Sequence, residues 1–259
     1  MAIKINTKEE LEIMREGGRR LARILREVSS LARSGTATHT LDELAEKLIF
    51  DCGGEPAFKG YRIQGVAAAF PATICASVND EVVHAFPLAT KVLKEGDVIA
   101  IDIGMKWPAH TGLYTDMAVT VGVGVISPDA ARLINATREA LMRGIAAVRP
   151  GARVGDVSHA VESFLMGERL GIVRDLAGHG VGHALHEDPL IPNYGKAGSG
   201  AELCEGMAIA IEPIVTLGNP AIRLMQDEWT FKTKDGSLSA HFEHTVAITA
   251  NGAEVITKD

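Results

Sequence analysis

"LKEGDVIAIDIG" at 93–104 and "LCEGMAIAIEPI" at 203–214 are one pattern written twice. Each opens on a Leu-x-Glu-Gly turn, runs through apolar and β-branched residues, and meets an acid at the same place, Asp102 in the first copy and Glu212 in the second. Such runs predict strands. The duplication extends outward. "TDMAVTV" (115–121) resembles "FEHTVAI" (242–248), which sets Asp116 against Glu243. Helical segments precede the strands in both copies. In the first, Thr7 and Glu10 form a capping-box pattern, and Leu11, Met14, Leu21, Leu25 and Val28 follow at helical spacing. Thr40 with Glu43 predicts the cap of a second helix that stops at Gly53-Gly54. In the second copy, Ser127-Pro128 predicts a helix start, cap then N1 proline, with the helix running to about Arg149. "GDVSHAVESFLMGERLG" (155–171) reads as a fourth helix. "DVIAIDIG", "MAVTVGV", "MAIAIEPIV" and "HTVAIT" read as strands. The repeat is far too long for a solenoid. The expectation is an α+β fold, with two pseudo-twofold-related helix-helix-strand halves, about 1–123 and 124–259, that share one sheet. No linker separates them, so residues 1–259 are read as one domain.

Size and composition agree. A chain of 259 residues, 46% hydrophobic and 23% charged, can bury a substantial core. The net charge is −7 with no cluster of Lys and Arg, so neither a nucleic-acid surface nor a membrane surface is expected. The N-terminus lacks the apolar core of a signal peptide. The most apolar stretch, "VAAAFPATICASV" (66–78), is too short to span a bilayer and contains Pro71. Cys52, Cys75 and Cys204 are isolated and odd in number, which argues against a disulfide framework or a thiolate zinc site and fits a reducing, cytoplasmic setting.

The chemistry lies in the acids. Asp102 and Glu212 each sit in an otherwise apolar strand, where a carboxylate is costly unless paired or bound to metal. A strand-end salt bridge would explain either alone. The pair, related by the repeat, points to a site, and Asp116 and Glu243 add two more acids at matched positions. A pseudo-twofold axis would bring all four to the centre of the shared sheet. Four carboxylates at one point repel unless cations lie between them. Oxygen-rich ligation with one imidazole suits Mn, Co, Fe(II) or Zn. Four acids and one His are too many ligands for one catalytic ion and suit two, about 3.5–4 Å apart. A dinuclear hydrolytic site is therefore expected.

"AGHGVGHALHEDP" (177–189) supplies three histidines, His179, His183 and His186. The four-residue spacing of His179 and His183 suggests a zinc-binding helix. That motif, however, needs a Glu directly after the first His, and Gly178, Gly180 and Gly182 would spoil a helix. The segment reads instead as extended backbone or turn, made for close approach.

These pieces together carry a resemblance. "SVNDEVVHAFP" (77–87), "IDIG" (101–104), "YTDMAVTV" (114–121), "GHGVGHALHEDP" (178–189), "IEPIV" (211–215) and "LSAHFEHTVAIT" (238–249) resemble, in order and spacing, the type I methionine aminopeptidases of the bacterial kind. The resemblance covers essentially the whole chain. It implies the "pita-bread" fold, in which duplicated halves share a curved antiparallel sheet with the metal site at its centre. It implies a metalloaminopeptidase that removes the N-terminal methionine from nascent or newly made proteins when the second residue is small. Asp102 would chelate one metal, Asp116 and Glu243 would bridge both, and His179 and Glu212 would complete the second. A metal-bridging water or hydroxide would attack the first peptide bond, with Glu212 as proton shuttle. His84 and His186 would contact the substrate near the scissile bond, and His183 is expected to be neither ligand nor substrate contact, with a role in packing or behind the ligands. Phe58, Tyr61, Cys75, Leu185 and Trp229 would form the methionine pocket. The remaining histidines, His39, His110, His159, His241 and His244, are read as ordinary surface or packing residues, with His244 facing away from Glu243. A monomer is expected, with ribosome proximity following from the substrate. The chain begins Met1-Ala2, itself a substrate of the implied kind.

Two segments depart from the family pattern. Residues 62–72, "RIQGVAAAFPA", are longer than the usual link, and "MKWPAHTGLY" (105–114) lengthens the spacing between Asp102 and Asp116. "GLYTDMAVTV" partly resembles aminopeptidase P and prolidase, so an Xaa-Pro-cleaving hydrolase is a second reading. A binding protein that has lost catalysis is a third, opposed by the intact set of five ligand residues.

Overall fold

The structure, a computed structural model, describes residues 3–259. Met1-Ala2, and with it the self-processing expectation, lies outside the described residues. The first half contains helices α1 (Lys8–Ser30) and α2 (Thr38–Asp51) and strands β1 (Glu55–Pro56), β2 (Ile74–Val78), β3 (Glu81–Val83), β4 (Val98–Trp107) and β5 (Leu113–Gly122). The second contains α3 (Pro128–Ala147), α4 (Val154–Gly167), β6 (Gly171–Ile172), β7 (Ala177–Gly180), β8 (Glu187–Pro192), β9 (Ala208–Ile211), β10 (Ile214–Thr216), β11 (Ile222–Leu224), β12 (Phe231–Thr233), β13 (Ser239–His241), β14 (Glu243–Thr249) and β15 (Gly252–Val255).

Local signals set the starts of α1 and α3. Thr7 accepts from the Glu10 amide while the Glu10 carboxylate accepts from the Thr7 amide, the reciprocal bonds of a capping box. Ser127 caps α3 through the Ala130 amide, with Pro128 at the first helical position. The start of α2 corrects the sequence reading. Its cap is Ala37, which makes no side-chain bond, and Thr40 lies inside the first turn. Tertiary contacts fix this start: Ala37 bridges Val92, and the Thr38 hydroxyl bonds the backbone of Leu88. The run "MAIAIEPIV" divides into β9 and β10 around Glu212-Pro213, because proline has no N–H to give a ladder.

The main sheet has nine strands, all paired antiparallel, in the order β1-β4-β5-β14-β9-β7-β8, with β2 on β4 and β15 on β14. The two halves join where β5 meets β14, with Glu243 opposite Ala118. Strand alternation then separates core from site. Ile99, Ile101 and Ile103 pack with Leu21, Leu25, Leu41 and Ile49 of α1 and α2. Ile209, Ile211, Val246 and Ile248 pack with Ile134, Leu141 and Val157 of α3 and α4. The intervening residues, Asp102 and Glu243 among them, belong to the other face. The long β4–β5 hairpin keeps its register through to Trp107 opposite Leu113, which pairs Asp102 with Ala118 and Gly104 with Asp116. The fourteen-residue spacing therefore returns both acids to one place.

Candidate metal centre

Three adjoining strands carry three of the acids. Asp102 on β4 and Glu243 on β14 share one partner on β5, Ala118, and Asp116 lies two residues from it. Glu212 follows β9 directly. The fifth residue needs glycine on either side of it. A Cβ at Gly178 would stand 2.3 Å from the Ala210 carbonyl oxygen, and one at Gly180 would stand 2.3 Å from that of Asp188. Only glycine lets β7 run this close to its neighbours and carry His179 into the cluster. "HGVGH" is thus strand then turn, not helix.

His179 Nδ1 lies 2.9 Å from the Gly180 carbonyl oxygen. An acceptor there puts the ring proton on Nδ1 and leaves Nε2 as a lone pair facing the acids. Nε2 stands 4.0 Å from Asp116 Oδ2 and 3.8 Å from Glu212 Oε1. Ligand atoms of Asp116, His179 and Glu243 all lie within 4.8 Å of one another. Asp102 Oδ1, Asp116 Oδ1 and Glu243 Oε1 are buried with no hydrogen-bond partner. Burial pushes the Asp102 carboxyl up to about 6, with the Glu212 charge adding to it. Burial, then the charge of Asp102, drives Asp116 well up, and burial, then the charge of Asp116, does the same for Glu243. Orphaned oxygens, crowded negative charge and a preset imidazole lone pair are what divalent cations would satisfy. The donor set fits a metal centre.

The centre lines one side of a cavity of about 130 Å³, small beside the several hundred Å³ of typical ligand pockets. Phe58, Tyr61, Cys75, Leu185 and Trp229 line it together with His84, His186 and all five candidate ligands. The Cys75 thiol is pushed well up by burial and by the charge of Asp102, so it presents a neutral wall rather than a thiolate. His84 adopts a left-handed backbone, φ 56°, a strained state that is common at working sites. Burial lowers His84 to about 4, against the pull of Glu212. Desolvation among the packed side chains of the cavity mouth lowers His186 to about 3, helped by His179 and His84, although part of its ring reaches solvent. Both imidazoles are therefore neutral near pH 7. Tyr61 Oη lies 2.6 Å from His186 Nδ1.

The long 62–72 segment loops out and returns. The Phe70 amide donates to the Tyr61 carbonyl, and Trp229 Nε1 donates to the Ala68 carbonyl. Phe58 and Tyr61 keep their places on the cavity wall. Phe70, which sequence reasoning passed over, joins them, meeting Phe58, Phe86 and Trp229 edge-on. His183 lies away from the acids, 3.4 Å from Glu10. His110 and His159 are exposed, and His244 bonds Thr257.

His241 corrects the reading of it as a packing residue. It is 2% exposed, lines the cavity, and puts Nε2 3.6 Å from Glu212 Oε2. Burial alone would depress its pKa, but Glu212 and the charge of Asp102 outweigh burial and the net direction is up. Strand periodicity held the signal, since His241 and Glu243 are two apart and share a face.

Comparison with known proteins agrees with this geometry. The chain is 43% identical over 252 residues to methionine aminopeptidase 1 of Bacillus subtilis, covering 97% of this chain and 98% of that protein. It is 41% identical over 255 residues to the methionine aminopeptidase of Clostridium acetobutylicum, covering 98% of each. A crystal structure of methionine aminopeptidase from Thermotoga maritima superposes with a TM-score of 0.94 at 43% identity, covering all of both chains. The model of metallopeptidase family M24 matches residues 12–250, and with its acid cluster, its preset His179 and these relatives, the chain belongs to that family.

Proposed function

We propose that the protein is a methionine aminopeptidase, acting on the N-termini of nascent or newly made polypeptides whose second residue is small. The activity is that of its relatives, and one observation about this chain carries it over: a carboxylate cluster with orphaned oxygens opens onto a cavity with room for one side chain. Residues 1–259 work as one catalytic unit made from halves of about 1–123 and 124–259.

Asp102, Asp116, His179, Glu212 and Glu243 would hold two divalent ions, of the Mn, Co, Fe(II) or Zn class. When bound, the ions lower the pKa of a water and polarise the peptide carbonyl. The chain's own residues do the rest. Glu212 takes the proton of the attacking water on its carboxylate and passes it to the leaving amine. His84 and His186, held neutral by desolvation in the cavity, donate ring N–H groups toward the oxygen and nitrogen of the scissile bond. Tyr61 O–H donating to His186 Nδ1 leaves the Nε2 hydrogen for that task. Phe58, Tyr61, Phe70, Cys75, Leu185 and Trp229 offer an apolar slot to an unbranched thioether. The slot's size admits one side chain and keeps out a continuing chain, which makes the enzyme an exopeptidase.

No described helix is long and apolar enough to cross a membrane. A substrate made at the ribosome fits a monomer working in the cytoplasm close to synthesis, and three free cysteines support a reducing setting. A peptide beginning Met-Ala tests the reading against its N-acetylated twin, each with Mn(II)-loaded and chelated protein. The expected result is methionine release from the free peptide with metal alone. Equal cleavage of the acetylated peptide would overturn the aminopeptidase reading.

A further inference from the structure

The Glu212 carboxylate stands between two imidazoles. Its Oε1 lies 3.8 Å from His179 Nε2, and its Oε2 lies 3.6 Å from His241 Nε2. The two rings face it differently. His179 gives its proton to Gly180 and presents a lone pair. His241 Nε2 has acid oxygens on two sides, the second being Glu243 Oε2 at 3.9 Å. It is buried and makes no hydrogen bond in this structure, so both acids lie just beyond hydrogen-bond reach. A lone pair between two carboxylates would be repelled by both, so this nitrogen carries a hydrogen and is a donor.

The backbone that carries the ring is also firmly anchored. The His241 amide donates to Thr120 Oγ1 at 2.8 Å, and that hydroxyl donates back to the His241 carbonyl at 2.7 Å. His241 sits opposite Ile214 in the β10–β13 ladder, two residues past Glu212. Its backbone is thus pinned to β5 and to the strand that follows Glu212.

We infer that His241 is a positioning residue, whose Nε2–H restrains Oε2 of Glu212 so that Oε1 would be the oxygen left to hold an ion together with His179. The inference rests on the proposed role of Glu212 as a ligand. It gives Glu212 a fixed division of labour: Oε1 would face the ion, and Oε2, restrained by His241, keeps a second lone pair to take the water's proton. Groups that orient metal ligands in this way are typically worth 10–100-fold in metal affinity or activity.

His241→Phe keeps the ring's bulk and removes the donor; His241→Gln keeps an N–H of similar reach. Mn(II) affinity of chelated protein is read by calorimetry, the Co(II) visible spectrum reads the ligand set, and kcat and KM are read on Met-Ala-Ser. His241→Phe should weaken Mn(II) binding and lower kcat about 10- to 100-fold, with KM within about threefold of wild type. His241→Gln should stay within about threefold on every readout, with an unchanged Co(II) band. In a Glu212→Ala background, His241→Phe should weaken Mn(II) binding by less than about threefold more, because the group it positions is gone. Wild-type behaviour of His241→Phe would reduce His241 to packing. A Co(II) band altered by His241→Gln would make it a ligand instead. Losses that multiply in the Glu212→Ala background would make it act independently of Glu212. Each of these overturns the inference alone. Unchanged Mn(II) affinity in Glu212→Ala itself would take down the ligand reading, and the inference with it.

Discussion

Asp102→Asn should stabilise the metal-free protein while spoiling its response to metal. The magnitude follows from burial. Folding raises the Asp102 carboxyl from its ordinary 3.8 to about 6. Between those values the folded chain holds a proton that the unfolded chain has lost. Stability from this group is therefore full below pH 3.8, is lost as pH rises through about 6, and stays lost above. At about 1.4 kcal/mol per pH unit, the rise of roughly two units costs the chelated protein about 3 kcal/mol at pH 8. Asparagine has nearly the same shape and no charge, so it removes that cost. The variant should gain up to about 3 kcal/mol at pH 8, which is about 6–12 °C in Tm for a domain of this size, and almost nothing at pH 4. Comparing variant with wild type at each pH cancels His84, His186 and His244, none of which takes its shift from Asp102, while Asp116 and Glu243, raised in part by the Asp102 charge, add to the gain. Added Mn(II) at one hundred times its Kd should stabilise wild type by about 2.7 kcal/mol and the variant far less. Thermal melts in chelator at pH 4, 6 and 8, then with Mn(II), are the assay. A variant less stable than wild type at pH 8 in chelator, or equally stabilised by Mn(II), would refute the view that this carboxylate is held under strain for a cation.

His186→Gln should lower kcat by about 10²–10³ yet leave the pH profile between 5 and 8 unchanged, because desolvation at the cavity mouth, with His179 and His84 close by, lowers His186 to about 3; an acid limb near pH 6.5 that vanishes in the variant would contradict this. Gly178→Ala should cost about 1–3 kcal/mol and weaken Mn(II) binding, since its Cβ would press on the Ala210 carbonyl. Gly167→Ala meets nothing within 4 Å and should melt with the wild type, whereas equal loss in both would refute the close-approach argument. Thr245→Val removes the hydroxyl that bonds both the amide and the carbonyl of Asp116, at 2.9 and 2.8 Å. Calorimetry should show about tenfold weaker Mn(II) binding, and unchanged affinity would mean that Asp116 needs no such support.

Much of this centre is written locally. The repeat exposes Asp102, Glu212, Asp116 and Glu243 as matched pairs because strand periodicity is short-ranged and each acid interrupts an apolar run. The glycines around His179 exclude a helix for the same local reason. Thr7, Glu10 and Ser127-Pro128 mark helix ends with side chains a few residues from their partners. What escaped depends on distance in the chain. The start of α2 is set by Leu88 and Val92, and His183 is occupied by Glu10 on the first helix. Phe70 lies in a stretch with no periodicity, which bonds to residues distant in the chain, such as Trp229 to Ala68 and Ala67 to Glu228, fold over the pocket. His241 was the exception, legible by alternation with Glu243, two residues on, but overlooked beside the adjacent His244.

The central claim is tested most directly by competition. Met-Ala-Ser, Leu-Ala-Ser and Ala-Pro-Ser are mixed with the protein in Mn(II) or Co(II), beside a chelated control, and the released amino acids are followed by mass spectrometry. The account predicts metal-dependent release of methionine alone. Alanine released from the proline peptide, or no release with either metal, would contradict it.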